Sequence, residues 1–304
     1  MKKDFLTIRD MSSSELAKTL TLAADLKKRP KKYSSSLRGK GLAMIFEKPS
    51  LRTRVTFDVG IHQLGGFSVP LMPSEISLGK RESVHDVALN LERMVSAIMI
   101  RTFGHEIVVE MARMAKVPVI NALTDFSHPC QALADFLTLR EAKGKLKGLK
   151  LCYVGDGNNV AHSLMFAGAR LGVHVTLACP DGYHPNATAL ADARMDARAT
   201  GARIEVVRDP SEGVAGADAI YTDVWASMGQ ETEAEERKKI FRPYQVNTAL
   251  MARAKKGAIF LHCLPAHRGD EVTDEVIDGR ASWVFPQAEN RLHVQKAVML
   301  QLMK

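Results

Sequence analysis

The stretch GLAMIFEKPSLRTR, Gly41–Arg54, decides how this chain folds. Its first half, GLAMIF, is a short apolar run; its second holds a proline, two hydroxyls and two arginines. Pro49 ends the strand-like run, and Ser50 suits a helix N-cap. LRTRVTFDVGIHQLGG then reads as a helix stopped at Gly65-Gly66. A strand passing straight into a helix is half of a βαβ unit. The backbone N–H groups at such a helix start attract an anion. Arg52 and Arg54 add charge suited to bidentate contact with phosphate, and Thr53 adds a hydroxyl. Taken alone, the same residues also fit a surface helix with salt-bridged arginines.

Working outward, the pattern repeats. SSSELAKTLTLAADLKK opens with a capping box, Ser12 to Glu15, and continues at helical spacing. FSVPLM, AIMIRT and VPVINA are further strand-like runs separated by helix-length segments. A long helical stretch, CQALADFLTLREAKGKL, follows, and the alternation restarts with LKLCYVGD, VHVTLACP, ARIEVVRD, DAIYTDV and AIFLHCL. The piece SWVFP reads as a last strand, and AENRLHVQKAVMLQLMK as an amphipathic helix. The fold class expected is α/β: two doubly wound parallel-sheet domains joined by long helices, with the active site in the cleft between them. The change of domain falls in the long helical segment near residues 131–148. The expected domains are 1–140, with a C-terminal helix 288–304 packing back on it, and 141–287.

A chain of 304 residues is long enough for two such cores. With 46% hydrophobic and 25% charged residues it has the balance of a soluble globular protein. No apolar run has membrane-span length and no basic-then-apolar leader opens the sequence, so a cytoplasmic protein with no membrane partner is expected. The net charge of +8 suits small anionic substrates. The basic residues are scattered, with short clusters such as Lys27–Lys32, and aromatics are few; no nucleic-acid partner is expected. Cys130, Cys152, Cys179 and Cys263 form no metal-type pair, and Cys152 and Cys179 sit in apolar strand-like runs as small buried hydrophobes do.

Four more segments bear polar chemistry. In HPCQALADF, His128 and Gln131 share one helix face, although a capping or core histidine reads as well. VGDGNNVAHS has Gly155 and Gly157 but Val160 where a dinucleotide fingerprint needs its third glycine. Its Asn158 and Asn159 suit a polar ligand, or an ordinary Asn-capped helix start. DVWASMGQE puts Asp223 at a strand's carboxyl end, where a carboxylate could hold an ammonium. HCLPAHRGDEV puts Cys263 at another such end; a buried structural cysteine is the competing reading.

Taken together these segments resemble the aspartate/ornithine transcarbamylase family. SLRTR is similar to its carbamoyl phosphate signature and HPCQALAD to its second carbamoyl-binding motif. DVWASMGQE and HCLPAHRGDEVTDEVIDG resemble its ornithine branch, and the likeness runs through nearly the whole chain in order. The resemblance implies transfer of a carbamoyl group from carbamoyl phosphate to the δ-amine of L-ornithine, giving L-citrulline and phosphate, in arginine biosynthesis. It implies a homotrimer with shared active sites, or a higher assembly of trimers, and neither metal nor organic cofactor. It assigns catalytic roles to Cys263, Asp223, Arg101 and His128. It assigns carbamoyl phosphate to Ser50, Leu51, Arg52, Thr53, Ser77, Lys80, Arg101, His128, Gln131, Cys263, Leu264 and Arg291, and ornithine to Asn159, Asp223, Ser227 and Met228. Two departures stand out: Leu51 replaces the family's usual Thr, and Ser77 replaces a usual Gln, which makes Lys80 a candidate. A transcarbamylase for another amine, or a non-catalytic binding protein of the same fold, would share most of these features.

Overall fold

The structure is a computed structural model and describes residues 4–79, 81–226, 229 and 231–304. The chain divides into two compact units, one reaching Ala134 and including Glu289–Lys304, the other Asp135–Ala288.

In the first unit, β1 (Gly41–Phe46), β2 (Phe67–Leu71), β3 (Ala97–Arg101) and β4 (Val119–Leu123) form a four-stranded sheet in the order β2-β1-β3-β4. Every pairing is parallel. β1 and β3 are buried along their whole length, as strands covered on both faces must be, and this is why GLAMIF and AIMI, up to Arg101, are continuously apolar. Pro70 is tolerated in β2 because that strand lies at the sheet edge. Helix Ser13–Lys28 starts with Ser12 and Glu15 capping each other, as the sequence predicts. Within this unit the C-terminal residues pack on the early helices: Lys296 Nζ donates to Gln63 Oε1 at 2.8 Å and Thr19 Oγ1 to Gln301 Oε1 at 2.8 Å.

In the second unit, β5 (Lys150–Val154), β6 (His174–Ala178), β7 (Ile204–Val207), β8 (Ala219–Thr222) and β9 (Ile259–His262) form an all-parallel sheet ordered β7-β6-β5-β8-β9. The chain moves outward from β5 through β6 to β7, then returns to the other side of β5 for β8 and β9. The order therefore reverses between β5 and β8, the place where doubly wound sheets open a crevice at their carboxyl ends. The register makes those ends flush: Val154 lies opposite Thr222, and Thr222 opposite His262.

One sequence expectation fails. SWVFP is not a strand; only a single bridge joins Ser282 to Phe260, and helix Val284–Met303 already contains Phe285 and Pro286. Proline fits there because the N–H groups of a first helical turn have no partner in the helix anyway.

Candidate active site

In the first unit the opening stretch folds as its residues dictate. β1 ends at Phe46, opposite Arg101 at the end of β3. Ser50 caps helix Leu51–Gln63 by accepting the Thr53 N–H at 3.2 Å. Leu51 and Arg52 occupy the first turn of that helix, with Leu51 exposed. Lys48, which sequence reasoning passed over, is buried in the same loop; it pairs with Asp125 and its ammonium lies 4.0 Å from the Phe103 ring centre. Arg291 ties the site together: its Nη1 donates to Gln131 Oε1 at 2.8 Å and its Nη2 to Thr53 Oγ1 at 2.8 Å, all three side chains buried. Since arginine only donates, Gln131 must turn its oxygen to Arg291 and its NH2 elsewhere.

His128 and Arg101 are buried in this cluster. Burial holds the His128 imidazole well below its ordinary value of 6.5, and the charges of Arg291, Arg101 and Arg52 push it the same way. His128 is therefore a neutral hydrogen-bonding group among three cations, an environment that suits a phosphate and a developing oxyanion. Ser77 takes a left-handed φ of 47° closing the turn Pro73–Ile76, and its hydroxyl donates to the Pro73 carbonyl at 3.0 Å. Lys80 lies outside the described residues.

The second unit carries the other candidate residues at its flush strand ends. Asp223 follows β8 and Cys263 follows β9, and the Cys263 thiol donates to Asp223 Oδ1 at 2.9 Å. Asn158 Nδ2 donates to Asp223 Oδ2 at 2.9 Å, and the Val224 N–H to Oδ1 at 2.8 Å. The buried carboxylate is thus oriented by three donors. Asn158 is busy on its other face as well, where its Oδ1 caps helix Asn159–Leu171 by accepting from Val160 and Ala161. Asn159 begins that helix, half-buried. The loop is close-packed: a Cβ on Gly157 would sit 2.2 Å from the Pro185 nitrogen. Behind it Arg237 joins Asp156 at 2.9 Å, Glu233 at 3.0 Å and the Trp225 carbonyl at 3.0 Å, anchoring the stem of the Asp223 loop. Tyr153 and Tyr221, paired across β5 and β8 beneath the site, are held protonated by burial, which raises both phenols. Ser227 and Met228 lie outside the described residues.

Asp223, His262 and Cys263 have one ligand-type atom each within 4.8 Å of one another. Both His262 nitrogens are already engaged, one by Glu271 and one by the Leu264 N–H, so this trio does not offer the imidazole that a metal would need. Lys48, His262 and Glu271 are residues that sequence reasoning missed or left without a role, and Asn158, read as a helix cap or a polar-ligand residue, proves to be a cap that also holds Asp223. The doubled Asn was a signal for Asn158; nothing in the sequence shows that His262 meets Glu271.

Two α/β units, one with an arginine-ringed neutral histidine and one with a thiol–carboxylate pair, define a class of group-transfer enzyme acting on an anion and an amine. Comparison with known proteins names that class. The family described as "Aspartate/ornithine carbamoyltransferase, carbamoyl-P binding domain" matches residues 3–141, and "Aspartate/ornithine carbamoyltransferase, Asp/Orn binding domain" matches residues 147–302. The chain belongs to the aspartate/ornithine carbamoyltransferase family. Among its relatives, the ornithine carbamoyltransferase of Anoxybacillus flavithermus is 55% identical over 303 residues, 99% of this chain and 96% of that one. The anabolic ornithine carbamoyltransferase of Pyrococcus furiosus is 52% identical over 99% of this chain and 96% of its own length. A solved structure of an ornithine carbamoyltransferase from Pyrococcus furiosus matches with a TM-score of 0.97 at 52% identity, covering 99% of this chain and 97% of that one.

Proposed function

We infer that the chain is an ornithine carbamoyltransferase, moving the carbamoyl group of carbamoyl phosphate to the δ-amine of L-ornithine, with L-citrulline and phosphate as products, in arginine biosynthesis. The observation that carries this reading is the pairing of the buried Asp223 carboxylate with the half-buried Cys263 thiol at 2.9 Å, in the part matched by the Asp/Orn binding description. A fixed carboxylate attracts an amine that brings a second ammonium, as ornithine does, and repels one that brings a second carboxylate, as aspartate does. The test is citrulline or carbamoyl-product formation with ornithine, putrescine, aspartate and acetylornithine side by side. Faster turnover of any amine other than ornithine would refute the assignment.

In this reading residues 1–140 bind carbamoyl phosphate and 141–287 bind ornithine. The δ-ammonium, with a pKa of about 10, must lose a proton before its nitrogen attacks the carbamoyl carbon. Asp223 and Cys263 orient the amine and ease that loss, and no covalent enzyme intermediate is needed. As the nitrogen bonds to carbon, charge builds on the carbamoyl oxygen, where Thr53, Arg101 and neutral His128 donate. The carbon–oxygen bond to phosphate then breaks, and phosphate stays with Ser50, the Leu51 backbone, Arg52, Thr53 and Arg101. Gln131 and the backbone at Cys263 and Leu264 hold the carbamoyl amide, and Arg291 fixes Gln131. Asn159 and Asp223, with Ser227 and Met228, meet the α-amino and α-carboxylate groups of ornithine. Orientation of two substrates in one site supplies much of the acceleration.

We further propose a cytoplasmic homotrimer whose sites are shared. Leu51, Val55 and Val59, 74%, 47% and 39% exposed, stand four residues apart on one face of a single helix, an apolar stripe that self-association would cover. The loop holding Ser77 and Lys80 is the segment proposed to reach a neighbouring site. Reassembling Arg101→Ala chains, defective in their own pocket, with Lys80→Ala chains, defective in the loop, should restore activity in mixed oligomers. Mixed oligomers that stay inactive would refute sharing. A thiol used at the site suits a reducing compartment.

A further inference from the structure

The segment after β9 is held by a buried polar relay. The His262 and Glu271 side chains are both fully buried. The Leu264 N–H donates to His262 Nδ1 at 2.8 Å, so Nδ1 carries no proton. The imidazole proton is therefore on Nε2, which faces Glu271 Oε1 at 3.1 Å and donates to it. The same carboxylate oxygen accepts the His267 N–H at 2.6 Å. On its backbone side His262 is fixed too: its N–H donates to Gln287 Oε1 at 2.9 Å, and Gln287 Nε2 donates to Asp135 Oδ1 at 2.6 Å.

Leu264 has a φ of 57°, in the left-handed region. A bulky side chain keeps such a backbone only where the surroundings over-determine it. The imidazole acceptor for its N–H is one such restraint. With the other tautomer, or with an imidazolium, that acceptor disappears.

We propose that Glu271 is a positioning residue for the transfer reaction, setting the His262 tautomer that holds the Cys263–Leu264 backbone in place. It rests on the reading above that Cys263 and Leu264 meet the amine and the carbamoyl group. Glu271 touches neither substrate in that reading; it acts through His262, and it also holds the His267 N–H. Among the described residues, Asp223 and Cys263 also bring ionisable groups within 4.8 Å of that imidazole.

The experiment compares E271A, E271Q and C263A in the full enzyme. Removing the carboxylate should lower kcat about 100-fold, the scale of a misplaced reacting group, while carbamoyl phosphate binding by calorimetry changes less than about threefold. E271Q should recover at least about tenfold of the lost kcat, because its amide oxygen can accept both N–H donors. Nitrogen-15 NMR of labelled histidine should give the Nε2–H tautomer for His262 in the parent and E271Q, and a mixture in E271A. A merely structural Glu271 would lower the melting midpoint of E271A yet leave kcat within about threefold and the tautomer unchanged; that result overturns the proposal. So does equal impairment of E271A and E271Q, or an Nδ1–H tautomer in the parent. If E271A does not fold, the parent tautomer and the kcat of E271Q still decide. C263A separates the two ideas: full activity there refutes the assigned role of Cys263, whereas impaired C263A beside fully active E271A refutes the relay alone.

Discussion

Replacing Asp223 by Asn changes one oxygen to NH2 and should be costly for ornithine alone. Three donors converge on the Asp223 carboxylate, from Cys263, Asn158 and Val224. An Asn side chain cannot satisfy them: whichever way it turns, its NH2 meets a donor. It also lacks the charge that an incoming ammonium would meet. Asp223 is only 7% exposed, so water screens that charge weakly. Two unit charges about 4 Å apart at an effective dielectric near 20 attract by about 4 kcal/mol. The loss of one charged hydrogen bond alone is about 1.5–3 kcal/mol. At about 1.4 kcal/mol per tenfold, these bracket a drop of about 10- to 1,000-fold in kcat/KM for ornithine, and the convergent donors favour the upper half. The phosphate contacts assigned to Ser50, Arg52, Thr53 and Arg101 lie in the first unit and are untouched, so carbamoyl phosphate affinity should stay within about threefold. Citrulline kinetics with each substrate varied in turn, together with calorimetric binding of carbamoyl phosphate, measure both halves. Ornithine kcat/KM within about fivefold of the parent, or equal damage to both substrates, would refute the assigned role of the carboxylate.

Other predictions concern the remaining residues. Arg52→Ala should weaken carbamoyl phosphate binding and lower kcat together, by about 1.5–3 kcal/mol in transition-state stabilisation; kinetics within about twofold of the parent would contradict it. Activity should rise from about pH 6 to about pH 9 as the δ-amine loses its proton, with ornithine kcat/KM as the readout. Because the His128 pKa is lowered on folding from 6.5, the unfolded chain binds the extra proton first. Stability should therefore fall as pH drops below that value, and His128→Gln should flatten this part of a melting-midpoint profile. Gly157→Ala should destabilise by about 1–3 kcal/mol, since its methyl meets backbone atoms of His184 and Pro185 that cannot rotate away.

Much of this could be read from the sequence because the signals were local. All nine strand-like runs with period and composition of buried parallel strands are strands, from GLAMIF to AIFLHCL. Ser12 and Ser50 cap helices because capping joins residues three apart. SWVFP misled because a Trp-Val-Phe run has strand composition whether or not its backbone turns, and a first-turn proline does not break a helix. The site residues followed each strand end and could be listed, but their partners could not. Asn158 spends its amide on Asp223, 65 positions later, and Arg291 reaches Thr53, 238 positions earlier. Such pairings depend on sheet order, which periodicity does not encode. The Glu271–His262 contact closes a nine-residue span by an irregular loop for which no spacing rule exists.

The flush ends of β5, β8 and β9 also constrain how this enzyme can change over evolutionary time. Deleting one residue inside β8 would draw Asp223 back by about 3.3 Å and turn every following side chain to the opposite face. No compensating shift in β9 could rebuild the pair with Cys263 without inverting that strand too. Length changes within the strands are therefore closed to selection, whereas substitutions and insertions beyond Asp223 and Cys263 leave the frame intact. New amine preferences are reachable through the loops that follow those two residues, on a sheet that stays the same.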